Sequence, residues 1–426
     1  MVKKVLVVVE DGSLVKKVKN ILDNHGKLDK SQKISKKNGE FIIPTTYESI
    51  NEIELELEGV IRYETVETKG EYENNHSLSQ VIIQYLQIQK ISPQTIENLI
   101  SKIPKKYTLY PPLLLINNQD TFDSIEWKEA LNIINQDEFF QLVLKQFPQI
   151  THIAINKPII EQDIMRRPFN ISPIYGDFGP DPTDQMFDSP TQSDFDQAFW
   201  CTVVQNGIFQ SWAPRYTMFS RGNIKEKARI LNNFKDVQGT SVIDMYAGIG
   251  YFTLSYLKLG ASRVFCFELN PWSIQGLIKG VSQNGFTYRV VGKDEVVEFD
   301  PNVKCWIFNE SNEQALERLR QFGIKHNLSH INLGLLPSSR QSWDHTLTLI
   351  NKFSNRHRDL GTSIHIHENI SDEDLSTFMD STAKELGQLP LIDKSPNQLE
   401  IFPLHLEKIK TFAPGVWHIC ADFLVK

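Results

Sequence analysis

The clearest rhythm lies in the second half of the chain, where short apolar runs alternate with stretches of helical spacing. "TSVID", "RVFCFE", "KCWIFN", "HINLGL" and "TSIHIHENI" read as strands. From about residue 226 onward this order predicts a parallel α/β sheet, with "GVWHICADFLVK" as its closing strand. The first half differs. To about residue 75, short strands ("KVLVVV", "GEFIIPTT", "ELELEGVIRY") accompany a helical stretch near Leu14 to His25. The polar break "KGEYENNHS" follows. Residues 78–147 then read mainly as helix, with helical spacing in "SIEWKEALNIINQDEFFQLVLKQF", and "THIAINKPI" reads as a strand. Tyr175 to Phe195 carries glycines, prolines and many acids, which predicts an exposed, mobile acidic loop. "FWCTVVQNGIFQSWAP" reads as an alternating strand and a turn.

A length of 426 residues exceeds one ordinary core and points to two or three domains. The apolar run Val5 to Val9 ends at Glu10 and Asp11, so it reads as a first strand and not as a leader. No apolar run reaches the roughly 18 residues that a membrane span needs, so no membrane partner is expected. The four cysteines lie far apart with no CxxC pair. That excludes a disulfide framework and a zinc site of that kind, and suits a reducing, cytoplasmic setting. A net charge of −7 argues against nucleic acid, but local patches decide such binding. Residues 1–40 hold ten lysines against five acids, and Arg215 to Arg229 holds five cations against Glu226 alone. RNA therefore stays in view.

The strongest local chemistry is in "TSVIDMYAGIGYFTLSYLKLGASRVFCFELNP". A strand ends at Asp244, a loop with Gly248 and Gly250 opens a helix, and the next strand ends at Glu268. Glycines admit a ligand to the backbone, and a strand-terminal acid accepts hydrogen bonds from ribose hydroxyls. The spacing D-x-x-x-G-x-G is that of an S-adenosylmethionine loop, and no Walker G-x-x-x-x-G-K is present. Ser311 and Asn312 end the next strand, placed for the adenine edge. Trp212 and Tyr216 are candidates to stack on an extruded base, as isolated aromatics more often packing residues. Lys227 is the natural partner of a carboxylate. His365 and His367 share one face of their strand. With no third ligand indicated they predict a packed or hydrogen-bonded pair, and no metal.

"WAPRYTMFSRGNIKEKARI", "DMYAGIGYFTL" and "NLGLLPSS" together closely resemble the tRNA wybutosine-synthesising aminocarboxypropyltransferases, relatives of the tRNA guanine-37 N1-methyltransferases. "HGKLDKSQKI", "HIAINKPII", "RRPFNISPIYGDFG" and "HIHEN" extend the likeness along the chain. The resemblance implies a class I methyltransferase-like, Rossmann-like α/β domain at 196–426. Before it come an α+β module at 1–75 and a helical and mixed module at 76–195 that includes the acidic loop 175–195. It implies transfer of the 3-amino-3-carboxypropyl group of S-adenosylmethionine to carbon 7 of 4-demethylwyosine at position 37 of tRNA(Phe). A monomer is expected. Cofactor contacts are expected at Ser220, Lys227, Gly248, Gly250, Glu268, Ser311 and Asn312. The family's usual Asp-Asn pair here reads Ser311-Asn312, which removes a carboxylate. Trp212, Arg215, Tyr216 and Arg221 are expected at the RNA, with Asn332 shaping the base pocket and Asp244 as a candidate base. Methyl transfer to guanosine 37 is the first alternative, since the methyltransferases carry Asn-Leu-Pro where this chain has Asn332, Leu-Gly-Leu-Leu and Pro337. A catalytically silent RNA-binding module is the second.

Overall fold

A computed structural model describes residues 2–29, 34–37, 39–68 except 54, 56 and 58, 78–156 except 105, 171–354 except 325, and 361–426 except 397 and 398. "KGEYENNHS", Lys30 to Lys33, and the "KPII" and "RRPFN" stretches lie outside them. The chain divides into two compact units, 1–96 and 97–426.

The first unit builds a four-stranded antiparallel sheet from β1 (Val2–Val9), β2 (Ser35–Lys37), β3 (Glu40–Pro44) and β4 (Val60–Thr68), in the order β2-β3-β1-β4. Between β1 and β2 lies α1 (Gly12–Asn24), started by the Asp11 carboxylate, which accepts the Ser13 N–H at 2.8 Å. Val5, Val7, Val18, Leu22 and Ile43 are fully buried in one core. The strand expected from "ELELEGVIRY" begins only at Val60. Helix α2 (Leu78–Ile88) follows, and α3 (Pro93–Ser101) spans the division.

The second unit opens with β5 (Thr108–Tyr110), β6 (Leu113–Ile116), α4 (Ile125–Ile133), α5 (Gln136–Leu144), β7 (His152–Ile155) and β8 (Ser172–Tyr175). The long helical stretch breaks at Asn135, whose side chain caps α5 by accepting from Glu138 N. The acidic segment is not the loose loop expected from its composition. It forms α6 (Asp184–Asp188) and α7 (Gln192–Gln197), each capped by a threonine, Thr183 and Thr191. Phe178, Met186 and Phe187 from it are buried. A hairpin of β9 (Cys201–Gln205) and β10 (Ile208–Trp212) leads to α8 (Ile224–Asn233).

The remaining elements are β11 (Ser241–Asp244), α9 (Thr253–Lys258), β12 (Arg263–Phe267), α10 (Pro271–Gln283), β13 (Tyr288–Val291), β14 (Cys305–Phe308), α11 (Ala315–Gln321), β15 (Leu328–Leu333), α12 (Trp343–Phe353), β16 (Thr362–Ser371), α13 (Phe378–Gln388), β17 (Ile401–Ala413) and β18 (Val416–Val425). Their sheet runs β13-β14-β12-β11-β15-β16-β18-β17, parallel through β16 and antiparallel at β18 and β17. Alternate residues feed two cores. Ile243, Phe265, Ile331 and Ile364 face one side, and Val242, Val264, Cys266 and Ile307 the other. Burial on both faces explains why these strands read as unbroken apolar runs. All four cysteines are free thiols and buried. No helix among the described residues is long and apolar enough to cross a membrane.

Candidate active site

An open cavity of about 410 Å³ lies beside the glycine loop that joins β11 to α9, in the size range of small-molecule sites. Gly248 and Gly250 have φ of +54° and +85°, and a Cβ on Gly250 would sit 2.6 Å from Leu277. Only glycine lets the loop turn there and pack on α10. Glu268, just past β12, lines the cavity and accepts N–H bonds from Gly248 (2.8 Å), Leu269 (2.9 Å) and Asn270 (2.8 Å). A carboxylate offers about four lone-pair sites, so acceptor capacity remains for a diol. Burial raises the Glu268 pKa, opposed by those three donors.

Ser311 and Asn312 reach the cavity wall as the strand order predicts. The Asn312 amide donates to Met245 O at 2.9 Å and accepts from Ser342 Oγ at 3.2 Å, tying the glycine loop to the start of α12. Ser220 also lines the cavity, and Lys410 of β17 donates to its hydroxyl at 3.4 Å.

Several expected contacts are corrected. Trp212 and Tyr216 do not present faces to a base: Trp212 stacks on Phe219 at 4.4 Å and Tyr216 on Trp272 at 3.6 Å, both sealed from solvent. Their apolar area is already consumed by packing. Arg215 is spent on the acidic segment, donating to Asp181 at 2.7 Å and to the Pro180 carbonyl. Arg221 is exposed.

Lys227 does not reach the cavity. Its buried ammonium donates to Gln205 and Gln210 and lies over the rings of Phe219 and Tyr251, and burial lowers its pKa to about 7. Gln210 in turn donates to the Gly250 carbonyl, so Lys227 braces the β9–β10 hairpin against the glycine loop. Among the described residues, Lys410 is the lysine that lines the cavity wall. Asp244 and Asn332 are sealed beneath the cavity. Asp244 accepts from Thr253 at 2.7 Å and from the Asn332 amide at 3.2 Å, which locks β11 to β15, and burial raises its pKa. The turn beyond Asn332 does line the cavity: Gly334, Leu335 and Leu336 give it an apolar wall.

The sequence reading missed β17, which brings Lys410 and Phe412 to the cavity, and missed His418. The signal for β17 was present as the alternation in "IFPLHLEKIKTFA". His367 and His418 bond to each other at 3.0 Å and line the cavity, while His365 bonds His330 at 2.9 Å and Asp422 at 2.7 Å. His365 and His367 do not pair with each other as expected; each bonds a partner on a neighbouring strand.

The sheet order β14-β12-β11-β15-β16-β18-β17, a glycine loop after its central strand and an acid after the next define a class I S-adenosylmethionine-dependent transferase fold. A family model described as the TRM5/TYW2 methyltransferase domain matches residues 202–305. The crystal structure of P. horikoshii TYW2 in complex with MeSAdo superposes with a TM-score of 0.51 at 19% identity, over 82% of this chain and 98% of that one. At that identity it speaks for the fold alone. The chain is 38% identical over 362 residues to tRNA wybutosine-synthesizing protein 2 of Saccharomyces cerevisiae, covering 77% of this chain and 75% of the relative. With the protein of that name in Schizosaccharomyces pombe it shares 40% over 326 residues, 75% and 72% of the two chains. The chain belongs to the tRNA wybutosine-synthesizing protein 2 family.

Proposed function

We propose that the protein transfers the 3-amino-3-carboxypropyl group of S-adenosylmethionine to carbon 7 of 4-demethylwyosine at position 37 of tRNA(Phe). The observation that carries this is the 38–40% identity to two fungal wybutosine-synthesizing proteins over some three quarters of the chain. The four buried free thiols suit action in the reducing cytosol.

The cavity fits the donor. A loop that only glycine can form, the Glu268 carboxylate with acceptor capacity left, and the Ser220–Lys410 pair match a backbone-cradled nucleoside, its ribose and a carboxylate. When bound, S-adenosylmethionine supplies carbons made electrophilic by a positive sulfur. Which carbon reacts depends on which is held in line with the attacking atom. The residues on this chain therefore orient rather than bond. Glu268 and Asn312 fix the nucleoside end, and Lys410 and Ser220 hold the amino-acid end. Leu335 and Leu336 present an apolar wall to the flat base and keep water out. Phe412, 54% exposed at the cavity, is the ring placed to stack on that base.

The test is the mass of the nucleoside at position 37 after incubation with S-adenosylmethionine and tRNA(Phe) bearing 4-demethylwyosine. In-line geometry decides between a gain of about 101 Da for aminocarboxypropyl and about 14 Da for methyl. A gain of about 101 Da is expected. A gain of about 14 Da, or a product only on unmodified guanosine, overturns the reading.

A further inference from the structure

The amino-acid arm of S-adenosylmethionine runs from the sulfur to a carboxylate, and the carbon attacked in the proposed reaction lies next to the sulfur. Holding the nucleoside fixes the sulfur end of the arm. A second anchor at the carboxylate confines the carbon between them to one line of attack.

We propose, on the functional reading above, that Gly222 and Asn223 complete a seat for that carboxylate. Gly222 makes room for Lys410 across the turn before α8, and Asn223 adds its side-chain amide.

Residues Arg221–Asn223 form a 3₁₀ turn between Ser220 and α8. The turn itself does not need a glycine, because the φ of Gly222 lies outside the left-handed region. What its missing side chain admits is a neighbour. A Cβ on Gly222 would stand 2.6 Å from Lys410 Cδ and 3.2 Å from Lys410 Nζ. The β17 lysine therefore lies directly on the glycine, and from there it donates to the Ser220 hydroxyl at the cavity wall. Gly222 is thus a positioning residue that acts through Lys410.

The turn is fastened on both sides. Lys225, in the first turn of α8, donates to the Lys408 carbonyl of β17 at 2.9 Å and pairs with Glu407. Tyr251, next to Gly250, donates its hydroxyl to the Met218 carbonyl at 2.5 Å and accepts the Ser220 N–H at 3.2 Å. Edge strand and glycine loop therefore hold the turn in one place.

Asn223 stands at the N-cap of α8, where an asparagine ordinarily accepts a first-turn N–H. Its side chain makes no such bond. The residue lines the cavity and is 9% exposed, with Oδ1 buried and without a partner among the described residues. Nδ2 is not enclosed in that way, so the amide N–H is the end offered to a ligand. Local structure explains neither Gly222 nor Asn223, and a carboxylate explains both. It only accepts, through about four lone-pair sites, and so suits an ammonium, a hydroxyl and an amide N–H set around it. The ligand's own ammonium is repelled by Lys410 and points away from the seat.

The experiment titrates the full-length protein by calorimetry with S-adenosylmethionine and with its decarboxylated form, which lacks only the carboxylate. A third ligand, 5′-methylthioadenosine, lacks the arm and checks folding. The wild type should prefer the carboxylate form about 10-fold or more, the scale of hydrogen bonds to a charged group. Gly222→Ala and Asn223→Ala should each cut that preference about 5-fold, with methylthioadenosine affinity held within about twofold. Alanine accepts the φ at 222, so the melting temperature of Gly222→Ala should not fall. Asn223→Asp keeps the shape and sets a negative charge against the ligand's carboxylate. It should reverse the preference toward the decarboxylated form, and it decides the matter should an alanine variant fail to fold. No preference in the wild type overturns the seat, and an unchanged preference in Gly222→Ala overturns the placing of Lys410. Equal losses of both forms in Asn223→Ala, or no reversal in Asn223→Asp, overturn the amide contact. These titrations need no tRNA, so a wild type that adds no aminocarboxypropyl mass at position 37 overturns the functional reading and not the seat.

Discussion

Glu268 takes three backbone N–H groups at a point where its carboxylate also lines the cavity. Those bonds hold the oxygens still before any ligand arrives, so little entropy is lost when a diol binds. Hydrogen bonds to a charged group contribute roughly 1.5–3 kcal/mol, so Glu268→Ala should weaken S-adenosylmethionine about 10- to 100-fold by calorimetry. Glu268→Gln should fall between, because an amide keeps only one acceptor oxygen. Lys227 shows the converse. A lysine beside a glycine loop reads as a carboxylate partner, but here two glutamine carbonyls and two rings occupy it. Residue type and spacing led to Glu268 at the cavity because its position is set by the end of a strand. They did not reveal the lysine's role, because that depends on which way one face of α8 turns.

Among the elements, β17 changes the picture most. It is the sheet's edge strand, and its register against β18 shifts three times, between Pro403 and His405, Lys408 and Lys410, and Thr411 and Ala413. Such irregularities re-aim side chains and blunt an edge. Lys410 and Phe412 thereby arrive at a cavity otherwise built by loops at the ends of parallel strands. Base–aromatic stacking is worth roughly 1–3 kcal/mol, so Phe412→Ala should raise KM for the tRNA about 10-fold with KM for S-adenosylmethionine unchanged. The parallel strands β11, β12, β14, β15 and β16 were legible as apolar runs, since both faces are buried. β17 offered only a weaker alternation, because an edge strand with charged and exposed positions lacks an unbroken apolar run. The acidic segment misled for a related reason. Its prolines and acids hide the buried Phe178, Met186 and Phe187 that fasten it down.

For the whole molecule, the buried charges of the second unit shape stability against pH. Lys227 is lowered to about 7 from an unfolded value near 10.5, so between those limits the unfolded chain binds more protons. The cost of burying the ammonium is fully present below pH 7 and fades as pH climbs toward 10.5. Other groups titrate in the same window, so the informative quantity is a difference. The melting temperature of the wild type relative to Lys227→Met should rise from about pH 7 to about pH 10. A constant difference between the two proteins across that range contradicts the assignment. The Arg229 cluster behaves differently: the guanidinium and His365 hold Asp422 low, so its pairing persists into acid.

The burial of every thiol gives the folded chain a property useful at the bench. Cys201 sits in β9 of the hairpin, while Cys266, Cys305 and Cys420 lie in the main sheet. None meets solvent in the folded chain, and burial raises the pKa of Cys201, Cys266 and Cys420. A thiol-reactive dye therefore labels the protein only when a segment opens. Labelling at Cys201 times the breathing of the hairpin that braces the glycine loop, and labelling at the other three times the opening of the sheet. The native sequence thus carries two internal clocks, readable by peptide mapping without adding a single probe.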